Sequence, residues 1–356
     1  MQQMHVDRSA IRSVKIADIP EIDLEPGQAR LRVERLALTA NTLTYAVAGE
    51  TIGYWKFFPT PKTGWGIVPA WGFAVVTESA GPLAIGSRYY GFWPMTTSVI
   101  VTPEQVQENG FIDAASHRKP LPPVYNRYLT SPGEAIDDLR ALLQPLLATS
   151  FLLDDFLSEN LFFGAEQIII GSASSKTGLG LARLLARCRP NGPKVVGLTG
   201  TGNVEFCQNL GFYDQIVEYQ NLSEEILPLA SVFVDMAGNT AIRQNLHSLL
   251  KETLKYSCAV GLSHWDQFDP SPNPDLPGIK PQIFFAPAWS EKRRSDWGST
   301  ELAKRVEAAW RDTANESINW LKVRHHRGIE SIPDIWTAIA DGKSRPDQGH
   351  ISILSE

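Results

Sequence analysis

The chain has 356 residues, 43% of them hydrophobic and 20% charged, which is room for two cores of ordinary globular composition. Its formal charge of -6, with basic residues scattered rather than gathered into a stripe, argues against nucleic acid as a partner. The amino terminus MQQMHVDRSAIRSVK has no signal-peptide core and no apolar run approaches the about 20 residues of a bilayer crossing, so a cytoplasmic protein without membrane attachment is expected.

In chain order, QARLRVERLAL places Ala29, Leu31, Val33, Leu36 and Leu38 at an approximate period of two, the pattern of a half-buried strand. Strand-like runs punctuated by Gly and Pro (WGFAVVTES, RYYGFWP, TSVIVTP) continue to about residue 102. The Pro-dense stretch within 110–133 predicts an extended linker or surface loop. EAIDDLRALLQPLLATSFLLDDFLSEN is helical in period, with Pro145 expected to break or bend it.

Strands and helices then alternate. Strands are predicted over 167–170, 194–198, 232–235 and 258–262. Helices are predicted over 178–187, over 204–210 closed by Gly211 in a left-handed cap, and through 246–250. This spacing predicts a parallel sheet covered on both faces. The tail returns to helices in ELAKRVEAAW, ESINWLKVRHH and IPDIWTAIADG and ends on HISILSE as a last strand. Cys188, Cys207 and Cys258 are too far apart in sequence for a local disulfide or metal clip and read as small buried apolar residues.

The stretch EQIIIGSASSKTGLGLARLLAR carries the chemistry. An apolar strand runs through a turn of small residues into an amphipathic helix, so that a pyrophosphate can sit against the free N–H groups of the helix start. In a G-x-G-x-x-G frame the close-approach positions fall on Ala173, Ser175 and Gly178. The competing mononucleotide frame built on Lys176 and Thr177 puts Ser175 and Ile170 where its two glycines belong, and fails. A structural strand-to-helix turn without a ligand is the plain alternative.

Taken over nearly its full length, the chain resembles the medium-chain dehydrogenase/reductase superfamily, in its zinc-free quinone oxidoreductase and enoyl reductase branch. The likeness rests on RLRVERLALTANTLTYAVAGE, IGSRYYGFWP, QPLLATSFLLDD, GSASSKTG, NLGFYDQIVEY, VFVDMAGN and GIKPQIFFAPAW, in that order. A subgroup of uncharacterised proteins is marked by the same SASSKT turn. The resemblance implies a Rossmann-type parallel-sheet nucleotide domain over 131–290, a β-rich GroES-like catalytic domain over 1–130 and 291–356, and a homodimer paired through the nucleotide domain. With no cysteine before Cys188 and Trp71-Gly72-Phe73 where the zinc-bearing branch has Gly-His-Glu, no metal is expected. Without a Lewis acid, hydride delivery to an activated alkene, quinone or acyl thioester is the more natural reaction.

The same resemblance assigns site residues. Ala173, Ser174, Ser175, Lys176, Thr177 and Gly178 would meet the cofactor, with Thr199, Gly200 and Asn203 after the second strand, Asp235 and Gly238 at a later strand end, and Gly261 and Phe285 beyond. No Asp or Glu occurs in the turn 199–203, so no charge there repels a 2′-phosphate, which favours NADP(H). Asn41 and Tyr45 fall beside nicotinamide and substrate, Tyr45 as a metal-free proton donor or else as a packed aromatic. Tyr54, Trp55, Phe57, Phe58, Trp65 and Trp71 line an apolar substrate cleft or cover the core of the β-rich domain. His325 and His326, with Arg324 and Arg327, read as a solvated helix face. Besides a reductase of a small apolar carbonyl-conjugated molecule, a non-catalytic NADPH-binding sensor and a non-redox lyase or isomerase fit the same pattern.

Overall fold

The computed structural model of the chain describes residues 1–51, 53–187, 190–261 and 276–355. Cys188 and Leu262 lie outside the described residues. Two compact units divide the chain, one of residues 1–142 with 321–356 and one of residues 143–320. The divisions therefore fall at 142/143 and 320/321, not at the expected 130/131 and 290/291. The second shift has a clear cause: Trp289, Trp297, Leu302 and Val306, on the helices Ala286–Trp297 and Ser299–Ser317, pack into the same core as Ile168, Ile170 and Val234.

The 143–320 unit is built on a six-stranded sheet in the order Gln215–Glu218, Lys194–Thr199, Gln167–Gly171, Ser231–Asp235, Leu254–Ala259, Gln282–Ile283, parallel throughout. Numbered along the chain, that order is 3-2-1-4-5-6, the doubly wound arrangement that places a dinucleotide where the strand order reverses. Alternate side chains feed two cores. Ile168, Ile170, Val195, Val232 and Val234 enter one, and Ile169, Val196, Val217 and Phe233 the other. Both faces are covered, which is why QIIIG and SVFVD are unbroken apolar runs. The expected strand over 258–262 is the strand Leu254–Ala259. Cys207 and Cys258 are buried, and burial pushes the Cys207 thiol up to about 12.

The other unit holds a nine-stranded sheet whose main path runs Lys322–Arg327, Gln348–Ile353, Ala29–Leu38, Pro69–Ser79, Arg88–Pro94, Arg127–Thr130, Gly110–Asp113, Pro103–Gln107, with Ser98–Val101 also paired to Ala29–Leu38. A smaller sheet joins Gln2–Asp7, Val14–Asp18 and Trp65–Gly66. Tyr54, Trp55, Phe57 and Phe58 are buried. Trp55 lies so close to Gly49 and Gly66 that a side chain at either would collide with its indole.

The Pro-dense stretch 118–126 is a loop, as expected, and it joins the paired strands Gly110–Asp113 and Arg127–Thr130. Buried Arg118 ties it down, donating to Asp113 Oδ2 (2.6 Å), Tyr128 OH (2.8 Å), Asn126 Oδ1 (3.0 Å) and the Tyr125 carbonyl (2.8 Å). Two expectations are corrected here. The helix Asp137–Glu159 continues through Pro145. KVRHHR is an edge strand, Lys322–Arg327, held in a parallel ladder with Gln348–Ile353. Strand geometry sends adjacent side chains to opposite faces, so His325 meets Asp138 (2.6 Å) while His326 meets His350 (3.1 Å).

Among the described residues no helix is long and apolar enough to cross a membrane.

Candidate functional site

The strand Gln167–Gly171 ends in a turn of small residues and passes into the helix Lys176–Ala186. Ser172 adopts φ +55°, left-handed backbone rare outside glycine, and the turn closes with Ser175 N donating to the Ser172 carbonyl at 2.9 Å. Ser175 is the N-cap, its hydroxyl accepting from Gly178 N at 3.2 Å. Gly178 has no room for a larger residue, since a Cβ there would lie 2.9 Å from the Ser172 carbonyl oxygen and 3.0 Å from Ser175 Oγ. Lys176 and Thr177 are the first two residues of the helix and are half-buried. Ser150 Oγ, on the helix Asp137–Glu159, anchors this start by donating to the Thr177 carbonyl at 2.8 Å.

Ala173 is fully buried and forms the floor of the turn. Its N–H donates to Leu198 (2.9 Å), its carbonyl accepts from Tyr213 OH (2.7 Å), and Gly197 faces its methyl too closely to carry a side chain. Ser172 N donates to Tyr219 OH at 3.1 Å. Ser174 joins the turn to the end of the second strand, through Asn203 Nδ2 at 3.1 Å and Thr199 Oγ1 at 3.4 Å. Around Gly200 and Gly202 the space a Cβ would fill is open. The structure thus brings Ser174, Ser175, Gly178, Thr199 and Asn203 together.

Asp235 stands at the end of the fourth strand of this sheet, and its carboxylate is fully engaged. Oδ1 accepts from Ala237 N (3.0 Å) and Gly238 N (2.9 Å), while Oδ2 accepts from Arg243 Nε (3.0 Å) and Nη2 (2.7 Å). It holds the turn in which Gly238 takes φ +69°, and the cap of the next helix is Asn239, which accepts from Ile242 N. Gly261 approaches the same turn, donating to the Asp235 carbonyl at 3.2 Å with no room for a Cβ beside the Met236 carbonyl. Phe285, half-buried and extended, precedes the helix Ala286–Trp297.

Sequence reasoning missed Glu218. The parallel register pairs it with Thr199, and its Oε2 accepts from Thr201 Oγ1 at 2.6 Å and from Gln220 Nε2 at 2.8 Å. Only the order of strands reveals this neighbour, because 17 residues of chain separate the two side chains.

In the other unit, Asn41 and Tyr45 share the helix Ala40–Val47 one turn apart, and Asn41 Nδ2 donates to Tyr45 OH at 2.7 Å. Trp71 Nε1 donates to the same oxygen at 3.0 Å. Tyr45 is 5% exposed and packs against Tyr54, Phe92 and Tyr125. Burial pushes its hydroxyl far above the ordinary phenol value, as do the neighbouring tyrosines, and the Trp71 and Asn41 donors pull only partly the other way. It stays a neutral phenol across the physiological range. Among the described residues no three His, Cys, Asp or Glu side chains are placed to hold a metal.

Over residues 36–345 the sequence matches the family described as protein of unknown function DUF2855. The chain belongs to that family. No curated protein matches it in sequence. Solved structures match it in fold along their full length. CurA from Vibrio vulnificus, solved in complex with NADPH, has a TM-score of 0.63 at 12% identity, covering 100% of both chains. Escherichia coli quinone oxidoreductase, complexed with NADPH, has 0.59 at 11% identity, covering 99% of this chain and 100% of its own. The YhdH oxidoreductase from Salmonella enterica, in complex with NADP, has 0.53 at 13% identity and 100% of both. The fold of this DUF2855 member is accordingly that of the medium-chain dehydrogenase/reductases, a Rossmann-type unit with a β-rich GroES-like unit.

Proposed function

We propose that the chain is an NADPH-dependent, zinc-independent reductase acting on an activated alkene, quinone or acyl thioester, a small carbonyl-conjugated molecule with apolar surroundings. The observation that carries this reading is the turn 172–178. It stands at the first strand of a 3-2-1-4-5-6 sheet, its close approach is enforced by Gly178 and the left-handed Ser172, and the start of an eleven-residue helix lies behind it. These residues fit a dinucleotide pyrophosphate. Fold relatives solved with NADPH or NADP support the choice of cofactor.

In this reading residues 174–178 hold the pyrophosphate, and the turn 199–203 faces the adenosine ribose. Asp235, Gly238 and Gly261 shape the neighbouring strand ends rather than donate to the ligand. The bound nicotinamide supplies hydride; the chain supplies position and a proton. Tyr45 OH receives two N–H donors, so its own proton is left to donate to a substrate oxygen as hydride arrives, and those donors partly offset the burial that opposes charge on the phenol oxygen. Homodimerisation through the outermost strand Gln282–Ile283 is part of the same proposal, supported by Ile283 being 84% exposed.

The deciding experiment titrates the purified protein with NADPH and NADH, following tryptophan fluorescence and the thermal midpoint together, and then assays NADPH consumption with enones, quinones and enoyl thioesters. Saturable NADPH binding with turnover of one class is expected. Binding without turnover would point to a sensor, and absence of binding to either nucleotide would end the reductase reading.

A further inference from the structure

We infer that Glu218 is a specificity-determining residue for the dinucleotide, its carboxylate opposing a 2′-phosphate on the adenosine ribose. The inference rests on the dinucleotide reading of the 143–320 unit. In this sheet order an acid that recognises ribose hydroxyls ordinarily stands at the end of the second strand, and the sequence there, Thr199 to Asn203, contains none. The structure supplies one from the next strand. Glu218 closes Gln215–Glu218, pairs in register with Thr199, and is fixed on the turn by Thr201 Oγ1 at 2.6 Å and by Gln220 at 2.8 Å.

Both of those contacts reach Oε2. Among the described residues Oε1 takes part in no hydrogen bond, which leaves one acceptor on the carboxylate for a ribose hydroxyl. Gly200 and Gly202 leave open space on the same turn, so no side chain at either position stands between an incoming phosphate and that charge. The charge missing from the local sequence is thereby restored in space. Glu218 accepts a 2′-hydroxyl and repels a 2′-phosphate, so the chain's preference for NADPH over NADH is held below what the rest of the site would give.

The test is equilibrium binding of NADPH and NADH, by fluorescence titration, to the native protein, to Glu218→Gln and to Glu218→Lys. Glu218→Gln keeps the size and one acceptor while removing the charge. It should tighten NADPH on the order of fivefold at low salt, change NADH less than about twofold, and lose much of its advantage as salt is raised. Glu218→Lys should tighten NADPH further and weaken NADH. An unchanged NADPH-to-NADH ratio in both variants, with nucleotide still bound, would overturn the assignment, as would equal tightening of both nucleotides. Failure of the native protein to bind either would remove the dinucleotide reading itself, and this inference with it. Unaltered thermal midpoints of the free variants separate a local charge effect from misfolding.

Discussion

The oxygen of Tyr45 accepts from Asn41 Nδ2 and Trp71 Nε1, and an indole N–H can only donate, so the phenol keeps its own proton available for a third partner. Tyr45→Phe preserves the packing against Tyr54 and Phe92 and removes only that proton. Turnover should fall by about 10²-fold or more while NADPH affinity stays within about twofold; full activity in the variant would reduce Tyr45 to a packed aromatic. Gly178 is bound by sterics instead. A methyl there presses on the Ser172 carbonyl and Ser175 Oγ at 2.9 and 3.0 Å, so Gly178→Ala should cost about 1–2 kcal/mol of stability and weaken NADPH together with NADH, measured by denaturant unfolding and by titration. Asp235 shows how far single residues could be read. Its place at a strand end was legible, but its engagement with Arg243 and the 237–238 turn depends on a helix whose approach no spacing in the sequence discloses.

Elements reveal a second kind of tension in the helix Asp137–Glu159, where Asp154 Oδ1 is buried and has no hydrogen-bond partner among the described residues. Burial, then the neighbouring Asp155 carboxylate, pushes the Asp154 carboxyl up to about 6, with Arg187 opposing. The folded chain therefore holds this proton more tightly than the unfolded chain does. Stability from this group is fully present below the unfolded value near 3.8 and is lost as pH rises through about 6. Asp154→Asn should match the native protein at pH 4 and exceed it by up to about 3 kcal/mol at pH 7, read from urea unfolding across that range; an advantage independent of pH would sink the titration argument. Element type was legible wherever apolar residues fall on one period, as in the strands Gln167–Gly171 and Ser231–Asp235 and the helix Val204–Leu210 with Gly211 at φ +69°. It was not legible in KVRHHR, an edge strand with polar side chains on both faces, whose conformation comes from the ladder with Gln348–Ile353. Nor was it legible in the short strands Gly110–Asp113 and Arg127–Thr130 that flank the Arg118 loop, where a buried guanidinium rather than an apolar pattern holds the chain.

At the scale of the whole molecule, the chain leaves the β-rich unit near residue 142 and returns to it near residue 321, so the 143–320 unit is one continuous insertion of half the chain. Cofactor binding to that unit poses a thermodynamic question about how the halves melt. A ligand at a hundred times its dissociation constant stabilises the folded state by about 2.7 kcal/mol, whichever groups it touches. The rise in thermal midpoint depends on the unfolding entropy of the segment that melts with the site. That entropy grows with residue number, so the shift is about 7 °C if only half the chain unfolds cooperatively with the ligand and about 4 °C if all of it does. Residues 321–353 return to pair with Ala29–Leu38 through Gln348–Ile353, so unfolding of the 143–320 unit alone would leave a closed loop anchored at both ends in a folded sheet. The two crossings constrain that loop rather than forbid it, and we expect two calorimetric transitions of which only one moves with NADPH. A single transition shifted by the smaller amount would show instead that the units unfold as one.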